Sequence, residues 1–203
     1  DFWEYDPATD TWTQKANFAG AARHFARGIT IGDKGFVGSG TDGNGNWLND
    51  FWEYNPATDT WTQKANLSFL LAGTASFSIG NKGYLGGLFI SEGTYVSVLG
   101  EYDPVTDIWT QKNGGNMQRP LSASFSIGNK GYVGTGLIPD DTGLKKDFWE
   151  YDPNGGSNNI FIVPVADNTS IWPISNKLVP VTIWSNVSSS LPVTLTVQIS
   201  CNE

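Results

Sequence analysis

Apolar and polar residues alternate with a period of two over short stretches of this 203-residue chain, and no stretch holds a helical period. Phe51-Trp-Glu-Tyr54, Ser76-Phe-Ser-Ile79 and Ser124-Phe-Ser-Ile127 are examples, each bounded by Gly, Pro, Asn or Asp. A period of two puts alternate side chains on opposite faces, so these segments predict β-strands joined by tight turns. In the first complete unit the strands are expected at 25–31, 34–40, 50–55 and 60–64. The first two are joined by an Asp33-Lys34 turn flanked by Gly, with Gly and Asx supplying positive φ. Asp-Pro-Ala-Thr-Asp joins the last two, with Pro fixing φ and Asp side chains capping backbone N–H groups.

The same elements recur. Asp1–Trp12, Asp50–Trp61, Gly100–Trp109 and Asp147–Pro153 are near-copies of one phrase, and their central Glu4, Glu53, Glu101 and Glu150 lie 49, 48 and 49 residues apart. A second phrase runs Gly28–Gly38, Ser76–Gly86 and Ser124–Gly134. Four strands in a unit of about 49 residues is the arithmetic of a propeller blade. Tyr-Asp-Pro-x-Thr-Asp-x-Trp, strands ending in glycine, and an arginine ahead of the first strand (Arg23, Arg119) resemble kelch repeats over residues 1–153. The resemblance implies an all-β fold of kelch-like, four-stranded antiparallel β-propeller blades. The usual Gly-Gly pair is present only at Gly86-Gly87; Gly-Ser-Gly and Gly-Thr-Gly replace it elsewhere.

Position in the repeat separates structural from functional candidates. Trp12, Trp61 and Trp109, with Tyr5, Tyr54, Tyr102 and Tyr151, recur at fixed places and are expected to pack between blades. Stacking on carbohydrate is the alternative for the tryptophans. In a meander the 1–2 and 3–4 turns share one face of the disc, and here they are nearly constant. The opposite face carries Ser39–Asn49, Gly87–Val98 and Thr135–Lys146, which differ in length and chemistry, along with the varying segments 16–24, 65–72 and 113–121. Variation confined to one face is how a scaffold carries a binding surface, although unconstrained drift would look similar. The ligand candidates there are Arg23, His24, Arg27, Trp47, Phe89, Tyr95 and Arg119. Asp42, Asn44, Asn46 and Asp50 stand at offsets that suit calcium, but Trp47 takes the place where such a loop needs glycine. A Gly/Asn-rich turn is the preferred reading.

Composition then removes several functions. A net charge of −8 with no basic run speaks against nucleic acid. No 18-residue apolar run predicts a membrane span. Gly38–Gly43 spells a dinucleotide fingerprint, but no helix follows to hold a pyrophosphate. One histidine and one cysteine, His24 and Cys201, cannot supply the two-histidine copper site with its Tyr–Cys cross-link that the galactose oxidase group, also kelch-like, uses. No catalytic residue and no cofactor is therefore expected. Sequons stand at Asn66, Asn168 and Asn186.

After Pro153 the rhythm stops. Residues 154–203 begin as a Gly/Asn/Ser linker and continue as a β-rich tail, in which Asn168–Val181 resembles the opening of a bacterial extracellular Ig-like module. Together these features lead to the expectation of a secreted or cell-surface binding or structural protein: an adhesin, a glycan- or protein-recognition module, or an appendage subunit. The competing class is a kelch-type carbohydrate-active enzyme, such as a sialic-acid mutarotase-like protein, with Arg23, His24, Arg27 and Arg119 at its site. The sequence opens in mid-repeat, which reads as a mature or excised piece. Half a blade, two whole blades and three further strands would leave a ring open, so edge pairing with other copies is expected, with Ile160–Val165 as one donor strand.

Overall fold

The computed structural model describes residues 1–71, 75–91, 94–115, 120–137, 144–154, 161–162 and 183–184. All regular elements among them are strands. The first blade is a hairpin, β1 (Phe2–Asp6) and β2 (Thr11–Lys15). The second is a four-stranded meander of β3 (Arg27–Ile31), β4 (Lys34–Gly38), β5 (Phe51–Asn55) and β6 (Thr60–Lys64). The third repeats it with β7 (Ala75–Ile79), β8 (Lys82–Ser91), β9 (Thr94–Asp103) and β10 (Ile108–Asn113). The fourth has three strands among the described residues, β11 (Ala123–Ile127), β12 (Lys130–Gly134) and β13 (Phe148–Tyr151). All pairings are antiparallel between chain neighbours. Of the tail, only β14 (Phe161–Ile162) and β15 (Ile183–Trp184) are described, as a short antiparallel pair. The rest of the Ig-like segment, with Asn168, Asn186 and Cys201, lies outside the described residues.

The constant turns are built by two recurring devices. Ile31 pairs with Lys34, Ile79 with Lys82 and Ile127 with Lys130, so the turn residues are Gly32-Asp33, Gly80-Asn81 and Gly128-Asn129. This corrects the expected Asp33-Lys34 turn by one position. Only the glycines take positive φ (60°, 55° and 59°), as in a type II′ turn, which asks for it at the first central residue alone. The shift puts the lysines inside the second strand, where Lys82 Nζ reaches Asp103 at 2.6 Å and Lys130 reaches Glu150. In the 3–4 turn, Asp6, Asn55, Asp103 and Asp152 each accept the N–H two residues on, at 2.9–3.0 Å. Asp10, Asp59 and Asp107 close it at φ 53°, 52° and 56°, a left-handed conformation that Asp tolerates.

Between blades the packing is equally repetitive. Phe2 meets Tyr54 (ring centroids 4.8 Å) and Trp61 (5.1 Å), and one repeat later Phe51 meets Tyr102 and Trp109, both at 4.9 Å. Trp61 Nε1 donates to the Ala16 carbonyl at 3.1 Å, and Trp109 Nε1 to that of Ala65 at 2.9 Å. Asp59 Oδ1 accepts both the Ala16 N–H (2.9 Å) and the Tyr54 hydroxyl (2.8 Å), while Asp107 does the same for Ala65 and Tyr102 at the same distances. The Tyr–Asp–Trp sets of the second and third blades therefore each grip the chain of the blade before. Hydrogen bonds from the Ala16 N–H and the Tyr54 hydroxyl hold Asp59 below the usual carboxylate range. Burial and the Asp59 contact push Tyr54 up to about 12, and burial with Asp107 raises Tyr102 further.

Two apolar clusters fill these junctions. Ile29, Ile31, Phe36, Phe51, Leu85 and Tyr102 belong to one, and Ala75, Phe77, Ile79, Tyr84, Leu99 and Val133 form the other, with Tyr151 packed against it. At the innermost strands small hydroxyls tie blade to blade. Ser78 Oγ donates to the Thr30 carbonyl at 2.5 Å, and Ser124 Oγ donates to the Ser76 carbonyl and accepts its N–H, both at 2.9 Å. That is why the inner strand reads Ser-Phe-Ser-Ile: the apolar residues enter the junction and the serines bridge neighbouring backbones.

Candidate functional site

Three connections between second and third strands leave one edge of the blades; those of the second and fourth share a bridge and backbone bonds at equivalent positions, and that of the third is built differently. In the second blade, Asp42 folds its own loop: its carboxylate accepts from the N–H of Asn44 (2.8 Å) and Asn46 (2.9 Å) and from the Asn46 side-chain amide (2.9 Å). These bonds hold the carboxylate below its ordinary range. In the third blade the expected loop Gly87–Val98 is largely strand: β8 and β9 stay paired from Gly87–Val98 out to Ser91–Thr94. Phe89 pairs with Val96 and Tyr95 with Ile90 in this arm. Among the described residues, the fourth blade closes its connection with a Leu137–Leu144 bridge, in the place of Thr41–Trp47, and a bond from the Lys145 N–H to the Gly136 carbonyl at 2.8 Å. The sequence had placed Gly87–Val98 among three connections that differ in length and chemistry. The apolar and aromatic runs Leu88–Ile90 and Tyr95–Val98, on either side of Ser91-Glu-Gly93, were the signal that it extends the strands.

Arg23, a ligand candidate from its charge, is a clamp. Its side chain is only 4% exposed and forms a bidentate pair with Asp50 at 2.7 and 2.6 Å. It also donates to the carbonyls of Ser39 (3.2 Å) and Ala21 (3.0 Å), and its guanidinium lies 4.9 Å from the Phe18 ring centroid. Burial alone would raise the Asp50 carboxyl; Arg23 and the Trp52 indole N–H, at 2.7 Å, more than offset it and leave it lowered. Arg23 thus fixes both ends of the Ser39–Asn49 loop. Asp50 is committed to this pair and Asp42 to the amides of its own loop, so both carboxylates of the proposed calcium set are engaged within the protein. Among the described residues, no three His, Cys, Asp or Glu side chains form a metal-binding group.

His24 and Trp47 are brought together. Thr41 makes an antiparallel bridge to each, its N–H and carbonyl bond those of His24 at 3.0 Å, and its hydroxyl lies 3.0 Å from the imidazole Nε2. Both side chains reach solvent, Trp47 at 38% exposure. Phe25 joins them: it is 53% exposed and its ring sits 4.7 Å from that of His24. Phe25 was missed in the sequence. It stands at φ 57°, and Leu121, two repeats later, stands at φ 60° and is 60% exposed. Large apolar side chains rarely adopt such backbone, and strain of this kind concentrates at functional edges. Arg27 opens β3 nearby, paired with Gly38. Burial lowers its pKa, and its Nε has no hydrogen-bond partner among the described residues. Arg119 lies outside the described residues.

Ser39 and Thr135 occupy the places where the repeat elsewhere has glycine, and both take left-handed φ, 59° and 60°. Gly87 itself stands at φ 154° and continues its strand, so the departures from Gly-Gly go with a different backbone path as well as with strain.

Comparison with known proteins agrees with this architecture. Residues 40–68 match the Kelch motif. No curated protein matches the sequence. Among solved structures, the chain is similar to the structure of YjhT, with a TM-score of 0.58 at 22% identity over 70% of this chain and 53% of that one. The chain thus spans about half the length of that structure. The likeness is one of fold: all-β, with kelch-like propeller blades.

Proposed function

We propose that this chain is a binding module of a secreted or cell-surface protein, recognising a protein or glycan through the variable edge of its blades and not by catalysis. The observation that carries this reading is that one position in the repeat supports both a bridged loop and an extended two-stranded arm, with different side chains in each copy, while the opposite edge keeps the same turns to within a few degrees. A binding surface varies where contact is made. The exposed Phe25, His24 and Trp47 provide the apolar and aromatic contacts such a surface uses. The competing reading, a carbohydrate-active enzyme, is favoured less, since Arg23 is committed to Asp50.

The test is binding of the chain to arrayed glycans and extracellular protein fragments, repeated with Phe25→Ala and Trp47→Ala. The expected result is a bound species whose affinity falls at least roughly tenfold in either variant, as for a contact residue, with the melting temperature unchanged. Turnover of a sialic acid or galactoside by the unaltered chain would contradict it.

A further inference from the structure

The inner strands β3, β7 and β11 open on equivalent residues. Arg27 pairs with Gly38, Ala75 with Gly86 and Ala123 with Gly134, so the repeat gives this place to alanine twice and to arginine once. Ala75 is 1% exposed, which makes the place one where a small apolar side chain packs. An arginine there is not a demand of the fold. Arg27 shares a face of β3 with Ile29 and Ile31, whose side chains lie where a Cβ on Gly83 of the third blade would be, at 2.4 and 2.8 Å. The junction it enters is therefore bounded by two complete four-stranded blades.

The charge of Arg27 is also unlike that of the other cations. Arg23, Lys64, Lys82, Lys112 and Lys130 each have a carboxylate oxygen within 3.6 Å. Arg27 is half-buried and has no such partner among the described residues, and its Nε is enclosed without an acceptor. Burial lowers its pKa, and no carboxylate opposes that. A guanidinium taken out of water without a counter-charge costs stability. Three other enclosed polar atoms lack a partner among the described residues, Ser39 Oγ, Ser97 Oγ and Ser122 Oγ, and all of them stand at the same variable edge. Faults of this kind gather where a site, and not stability, sets the residue.

Resting on the reading of the variable edge as a binding surface, we infer that Arg27 is its anion-binding residue and that the ligand is a sugar bearing a single carboxylate. With Nε enclosed, the two Nη atoms are left to meet the ligand, and a guanidinium holds a carboxylate through a pair of parallel N–H···O bonds. One uncompensated cation in a chain of net charge −8 suits a monoanion. Polyanions, including peptides with several acidic residues, are repelled by the same net charge. Beside Arg27 stand groups that fit a pyranose. Gly38 leads into Ser39-Gly40-Thr41, the Thr41 hydroxyl lies 3.0 Å from His24 Nε2, and Trp47, bridged to Thr41, is 38% exposed. The hydroxyl and the imidazole match sugar hydroxyls, and an indole face matches the C–H face of the ring.

The test uses two oligosaccharides that differ only at the terminal residue, glucuronic acid in one and glucose in the other. The expected result is a preference for the acid. Arg27→Ala should lower affinity for the acid probe roughly tenfold or more, as for a lost charge-assisted hydrogen bond, and leave the neutral probe unaffected. Arg27→Lys should keep part of the preference, since the charge remains and the fork is lost. Without ligand, the unfolding midpoint of Arg27→Ala should stay level or rise, because alanine fills the equivalent places. A lowered midpoint would make Arg27 a structural residue and overturn the inference. Failure to bind the acid probe, equal binding of the two probes, an acid preference that Arg27→Ala leaves intact, or Arg27-dependent binding of an acidic peptide in its place would overturn it as well. If Phe25→Ala and Trp47→Ala still abolish binding on the arrays in any of these cases, the binding module stands and only the role of Arg27 falls.

Discussion

The first blade and the third carry the same three residues in the same local geometry, yet only one set is buried. Tyr5 bonds Asp10 at 2.9 Å and Tyr102 bonds Asp107 at 2.8 Å; the Tyr–Trp ring spacing is 5.0 Å in both. Tyr102 is fully buried, whereas Tyr5 is 44% exposed. What differs is the preceding blade, which gives the third set Phe51 and the backbone of Ala65. The Tyr–Asp–Trp phrase is thus a hairpin lock by itself and becomes a joint between blades only when a neighbour is present. Burial decides its energetic weight, because hydrogen bonds and aromatic area contribute little where water competes.

The largest contrast is expected from tryptophan. Trp109→Ala should cost about 3–5 kcal/mol, the usual range for removing a large aromatic from a packed core, read as a fall in denaturation midpoint. Trp12→Ala, at a side chain 64% exposed, should leave the midpoint unmoved. Equal losses would break the comparison.

Removing the carboxylate comes next. Asp107→Ala strands the Tyr102 hydroxyl and the Ala65 N–H, for about 2 kcal/mol. The same change at Asp10, in the exposed hairpin, should be far smaller.

Titration sharpens the same point. Asp50, Asp59 and Asp107 are all held below their ordinary values. Their folded forms favour the carboxylate, so the stability they give is present above the unfolded value of about 3.9 and is lost as pH falls below it. Tyr54, raised to about 12, works in the other direction: its contribution is present below the unfolded value of about 10 and is lost as pH rises toward 12. Melting curves from pH 2 to 12 should show both limbs, and Asp107→Asn should flatten the acid one.

The smallest effect concerns the strained rim. Ser39 is fully buried at φ 59°, and its hydroxyl has no hydrogen-bond partner among the described residues. Ser39→Gly relieves both faults and should stabilise the chain by about 1 kcal/mol. A loss would show that the hydroxyl is satisfied.

Legibility in the sequence followed repetition. Strands, blade period and the places of Trp61 and Trp109 could be read because each recurs and each obeys local rules of alternation and turn chemistry. The turn register was misplaced by one residue, since Gly-Asp-Lys-Gly offers two central pairs and only the backbone path chooses between them. At the variable edge, charge misled: Arg23 looked like a ligand because sequence does not show Asp50 folding back 27 residues later to neutralise it. Phe25 escaped notice because exposure of an apolar side chain at positive φ is a tertiary fact. The β8–β9 arm was taken for a loop, although its apolar and aromatic runs carried the signal.

The most direct measurement is a pair of double-mutant cycles on the same contact in its two settings, Tyr102→Phe with Asp107→Asn, and Tyr5→Phe with Asp10→Asn. If neighbouring blades give the Tyr–Asp–Trp joint its strength, the first cycle yields a coupling of about 1 kcal/mol or more and the second yields none that can be measured. Equal couplings in the two cycles would contradict the account, because the strength would then lie in the hairpin and not between the blades.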